Sequence, residues 1–172
     1  MFHFVTFDRV NSKIITVVAL FVILLSSFCN AQQIQMIKWE TMDEILNKKT
    51  DTTYVINFWA TWCKPCVAEL PVFFEQEKQL SNKAIKFYFI SLDFKRDFTT
   101  RLIPFVQKQN ISSSVYLLDE PDYNAWINKV DSSWGGAIPA TLIYNFVQKQ
   151  HKFYEKEFSG EELKQTIKTY IQ

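Results

Sequence analysis

Two cysteines separated by two residues, in Trp62-Cys63-Lys64-Pro65-Cys66, can close into a disulfide and open again. The first thiol falls at the expected start of a helix. Unpaired backbone N–H groups and the positive end of the helix dipole there stabilise a thiolate and lower its pKa. Cys63 is therefore the expected nucleophile. Cys66 lies one turn further in, placed to attack a mixed disulfide at Cys63 and release the reduced partner, which makes it the expected resolving thiol. Pro65 suits a first helical turn, and Lys64, pointing to solvent, adds modestly to thiolate stability; both residues tune the redox potential. A purely structural staple explains the pair poorly, because a loop of two residues barely constrains the unfolded chain. Zinc is no better served, since beyond residue 31 the two thiols and a lone His151 do not make four ligands.

The elements that must position these thiols are legible as alternating patterns. Tyr54 to Trp59 is a near-continuous run of β-branched and aromatic residues, the mark of a strand buried on both faces, and it leads straight into the cysteines. From Cys63 to about Leu80, Val67, Leu70, Phe73, Phe74 and Leu80 recur at helical spacing, with a kink expected at Pro71. Ile85 to Leu92 predicts a second buried strand, and Asp97 to about Gln109 a helix that Pro104 either kinks or starts. Val115 to Leu118 predicts a third strand and Tyr123 to Val130 a further helix, so the core sheet is parallel. Thr141 to Phe146 and Lys152 to Phe158, joined by a short polar turn, predict an antiparallel hairpin. Ser159 and Glu162 fit a capping box opening a last helix with Leu163, Ile167, Tyr170 and Ile171 on its buried stripe. Upstream, Ile37 to Trp39 reads as a short edge strand and Met42 to Lys49 as a short helix. Gly135-Gly136, just before Ile138-Pro139, marks a special loop.

Composition narrows the setting. The 172 residues, 48% of them hydrophobic and sixteen of them phenylalanine, suit one domain with a sizeable core. Residues 1–31 differ from the rest. Arg9 and Lys13 precede an uncharged run from Ile14 to Leu25, and a small residue, Ala31, offers a cleavage point, so 1–31 is expected to be a signal peptide and 32–172 the domain. An uncleaved anchor and a lipoprotein attached through Cys29 are the other readings, the second opposed by the bulk of Phe28. Without Asp8, Arg9 and Lys13 the domain has equal numbers of acidic and basic residues, which disfavours nucleic acid and anionic membrane surfaces as partners.

In this order of elements the chain resembles the thioredoxin fold. The stretch Asn57-Phe58-Trp59-Ala60-Thr61-Trp62-Cys63-Lys64-Pro65-Cys66 with Glu69-Leu70-Pro71 is similar to the exported TlpA/ResA-type thiol-disulfide oxidoreductases. The resemblance implies an α/β fold with a mixed central sheet flanked by helices, and an extra βα unit at residues 115–130 before a cis-proline loop. It implies a cis Ile138–Pro139 bond beside the cysteines, with Trp62, Ile138 and Pro139 facing substrate. Where many thioredoxins have a buried aspartate, Asn57 cannot serve as acid or base. The resemblance offers Glu69 as a proton relay for Cys66, roughly 60° around the helix from it; a helix-flank glutamate reaching water is the alternative. The implied activity is reduction of client-protein disulfides, with a membrane electron donor, no cofactor, no metal and a monomeric state, in a periplasmic or extracytoplasmic setting. Cytochrome c maturation is one job found in this branch. A disulfide oxidase or isomerase is the nearest rival. A peroxidase of the peroxiredoxin kind wants threonine where Ala60 stands, and a copper-binding chaperone typically uses a wider cysteine spacing with a nearby histidine.

Overall fold

The computed structural model describes residues 34–171. The expectations for the leader, residues 1–31, lie outside the described residues. Six strands form one sheet in the order β1-β4-β3-β2-β5-β6: β1 Gln35–Ile37, β2 Thr53–Trp59, β3 Ile85–Ser91, β4 Val115–Leu118, β5 Ala140–Asn145 and β6 Gln150–Tyr154. β1, β4, β3 and β2 run parallel, while β5 and β6 are antiparallel to their neighbours. Among the described residues five α-helices accompany it: α1 Trp39–Leu46, α2 Lys64–Gln79, α3 Ile103–Lys108, α4 Ile127–Val130 and α5 Gly160–Lys168.

β2 is central and wholly buried. Its alternating side chains feed two cores. Val55 and Trp59 face Leu70 and Phe73 of α2 and Leu163 and Ile167 of α5. Tyr54, Ile56 and Phe58 face Met42 and Ile45 of α1 together with Trp126 and Trp134. Burial of each large side chain of this kind contributes about 2 kcal/mol. Apolar residues must therefore occupy every position of β2 except the two polar ones, Thr53 and Asn57.

Several boundaries depart from the sequence pattern for identifiable reasons. α1 begins at Trp39, where the pattern predicts the end of an edge strand, because the Trp39 amide donates to Glu120 Oε1 at 3.0 Å and the helix starts from that bond. The segment containing Pro104 is neither a simple kink nor a simple start. A 3₁₀ turn, Lys95–Asp97, runs into a π-turn, Phe98–Leu102, with Ile103 N–H donating to Phe98 O, and Pro104 sits in the first turn of α3. The missing proline N–H and the crowding of its ring favour such a widened turn just upstream. The helix expected over Tyr123–Val130 is split into a 3₁₀ turn, Tyr123–Ala125, and the single turn of α4. Trp126 stands between them with φ −132° and donates its indole N–H to Glu120 O. β6 starts and ends earlier than expected, since pairing stops at Thr141 opposite Tyr154 and the chain then turns to bury Phe158. The hairpin turn has no glycine; Lys149, at φ 54°, takes the left-handed position. Ser159 caps α5, its Oγ accepting from Glu162 N–H.

Candidate active site

β2 delivers the chain to the site. Its last residue, Trp59, is fully buried, and a turn closed by Cys63 N–H donating to Ala60 O brings Cys63 to the N-cap of α2. Cys63 and Cys66 are joined as a disulfide, with their Cα atoms 5.3 Å apart. The Cys66 amide points at Cys63 Sγ from 3.3 Å, so a Cys63 thiolate would gain a charge-assisted hydrogen bond as well as the helix dipole. Burial separates the sulfurs: Cys63 keeps 6% of its surface and Cys66 none. Only the first can meet a partner without rearrangement. Lys64 and Pro65 are exposed between them.

Opposite the disulfide lies the loop before β5. The Ile138–Pro139 peptide is cis, Ile138 O is 3.7 Å from Cys63 Sγ, and Pro139 is buried. Gly136, at φ +94°, occupies a conformation that side chains disfavour. Trp62 is 48% exposed and, with Leu92, Phe94, Tyr123, Ile127, Gly136 and Ile138, lines a groove of about 330 Å³ beside the cysteines.

Glu69 is 1% exposed, which overturns the reading of a flank carboxylate reaching water. Its Oε1 accepts from Asn57 Nδ2 and its Oε2 from Phe158 N–H, both at 2.8 Å, so one carboxyl group ties α2 to β2 and to the approach of α5. Desolvation outweighs those two hydrogen bonds and, with Glu157 nearby, pushes its pKa up to about 7. Asn57 also donates to Thr141 Oγ1, while its own Oδ1 is buried without a partner among the described residues.

Two carboxylates escaped the sequence reading. Asp93 is 3% exposed and accepts from Thr61 N–H, Thr61 Oγ1 and Ser91 Oγ, fastening the turn before Cys63 to the end of β3. Glu155 accepts from Gly135 N–H at 3.0 Å and Ala137 N–H at 2.7 Å, across the loop before Pro139. Neither has a sequence motif; the placement of Asp93 at the end of a buried strand is the one hint. His151 pairs with Asp131 at 2.9 Å, and no cluster of three or more metal-ligating side chains occurs among the described residues.

The sheet order, flanking helices and strand-to-helix cysteine pair define a thioredoxin fold. Residues 28–149 match the AhpC/TSA family, and the chain belongs to that family. It is similar to the thiol-disulfide oxidoreductase ResA of Oceanobacillus iheyensis, with 41% identity over 39 residues, a stretch covering 23% of this chain and 20% of that relative. Among solved structures, a thioredoxin-related protein from Neisseria meningitidis serogroup B matches with TM-score 0.59 and 18% identity, over 70% of this chain and 86% of that one. A secreted disulfide oxidoreductase of Mycobacterium tuberculosis, homologous to E. coli DsbE, matches with TM-score 0.54 and 22% identity, over 74% and 98% of the two chains.

Proposed function

We propose that this protein is an exported thiol-disulfide oxidoreductase that reduces disulfides in client proteins. The observation that carries the reading is the asymmetry of the pair: Cys63 sits at the surface edge of a helix N-terminus, and Cys66 is enclosed behind it. In the dithiol form, the Cys63 thiolate attacks one sulfur of a client disulfide, and the other client sulfur leaves as a thiolate that takes up a proton. Cys66, deprotonated, then attacks Cys63 Sγ. The second client thiol is released, and the Cys63–Cys66 disulfide forms. Two electrons pass to the client, and a dithiol donor at the membrane returns them. Glu69, half-ionised near pH 7, is suited to accept the Cys66 proton. Trp62, Ile138 and Pro139 are read as the client-facing wall, and the strand β4 with its following turns as the extra unit of the TlpA/ResA branch.

Export rests on the pattern of residues 1–31 and on the secreted relative of similar fold. Among the described residues no helix is long and apolar enough to cross a membrane. The test is the reduction potential of the pair, equilibrated against glutathione or dithiothreitol. A value near about −270 mV or lower supports a reductase, whereas one near about −120 mV marks a disulfide donor and reverses the electron flow. Alongside it, Cys63→Ser is expected to abolish insulin reduction and Cys66→Ser to accumulate mixed disulfides on Cys63. A fully active Cys63→Ser protein overturns the mechanism.

A further inference from the structure

The wall opposite Cys63 is a loop, and loops hold a catalytic geometry only when something fastens them. Here two side chains do so, Glu155 on one side and Trp134 on the other. Glu155 immediately follows Tyr154, the last residue of β6, which pairs with Thr141 of β5. Its carboxylate forms no ion pair among the described residues; both oxygens instead accept backbone N–H groups, from Gly135 and Ala137. The other side of the same loop is held by Trp134, whose indole N–H donates to Ala137 O at 2.8 Å and whose ring is packed against Phe58, Trp126 and Phe153. Ala137 is thus held through both its N–H and its C=O. The next residue is Ile138, whose carbonyl is the group 3.7 Å from Cys63 Sγ.

We infer that Glu155 is a positioning residue for client binding: by accepting from Gly135 and Ala137 it sets the Ile138 backbone at the distance from Cys63 that a client segment must meet. The inference deepens the oxidoreductase reading and depends on it. Glu155 touches neither sulfur. Its effect is carried by loop geometry, so its removal alters how a polypeptide docks while leaving the helix N-terminus that sets the Cys63 thiolate as it was. Gly135 gives an independent handle. A Cβ at that position would meet Glu155 Oε1 at 3.2 Å and Oε2 at 3.3 Å, so the carboxylate must give by a few tenths of an ångström to admit it, which lengthens its bonds to the loop.

The experiment compares the wild-type chain with Glu155→Ala, Glu155→Gln, Gly135→Ala and the Gly135→Ala/Glu155→Ala double variant. Insulin reduction is followed as KM and kcat, with the reduction potential of the Cys63–Cys66 pair measured in each. Glu155→Ala is expected to raise KM about tenfold, the loss of one to two hydrogen bonds to a charged acceptor, at unchanged kcat and potential. Glu155→Gln keeps one acceptor oxygen and should fall between. Gly135→Ala should raise KM in the same direction but add nothing in the double variant, since the contact it disturbs is already gone. Folded variants with wild-type KM overturn the inference. So does a Glu155→Ala protein whose kcat or potential moves with KM, because the defect would then lie in the sulfur chemistry. A wild-type protein that leaves insulin oxidised under reducing conditions defeats the oxidoreductase reading itself. An active wild type with an indifferent Glu155→Ala defeats only the role of Glu155.

Discussion

Glu69 shows how much a single buried carboxyl group can be asked to do. Unfolded, it would lose its proton near the ordinary 4.5; folded, desolvation holds the proton up to about pH 7. Between those values the native state binds a proton that the unfolded state has released. Stability is therefore full below about pH 4.5, falls as the pH rises, and levels off above about 7, after a loss of about 3 kcal/mol. Urea unfolding of the disulfide form across that range is expected to show this slope, and Glu69→Gln to flatten it. The substituted amide keeps an acceptor for only one of Asn57 and Phe158, so the variant should lose about 1 kcal/mol at low pH, where the wild-type carboxyl is protonated, and escape the further loss the wild type suffers above about pH 7. If Glu69 relays protons to Cys66, the same variant shifts the pH dependence of thiol exchange. A wild-type slope that survives the substitution would assign the proton uptake to another group.

At the scale of elements, the site is a junction of three chain segments, and each is tied to another by a side chain. Asp93 ties the β2–α2 turn to β3, Glu69 ties α2 to β2 and the approach of α5, and Glu155 ties the proline loop to the end of β6. Asp93→Ala would strand the Thr61 amide and hydroxyl in a partly buried setting and is expected to cost about 2 to 3 kcal/mol in urea unfolding, with Asp93→Asn recovering part of it. An unchanged midpoint in Asp93→Ala would show that the turn before Cys63 is held by its backbone alone. These ties also explain what was illegible beforehand. The patterns for β2, β3, β4 and α2 could be read because apolar residues recur at the period of the element. Asp93 and Glu155 have no periodic signature, for the backbone amides they accept from lie 32 residues away in the first case and 20 and 18 in the second.

For the molecule as a whole, the described residues form one compact unit with a core on each face of its sheet. A chain starting at Gln33 is accordingly expected to unfold in one cooperative transition with the urea midpoint of the full-length chain. Loss of cooperativity on removing residues 1–32 would mean that the leader contributes to the fold, against the signal-peptide reading.

Local order was what the sequence by itself determined. Cys63 and Cys66 belong to one short motif, the strand before them is a continuous apolar run, and the capping pair Ser159 and Glu162 lies within one turn; each depends on neighbours close along the chain. Tertiary structure decided the rest. Whether Glu69 meets water or Asn57, where β6 stops, how Pro104 is accommodated and which residue fastens the proline loop all depend on segments far apart in sequence. Desolvation and hydrogen-bond pairing act through space, and only the closed sheet with both faces covered sets which groups are left dry and which donors must be met.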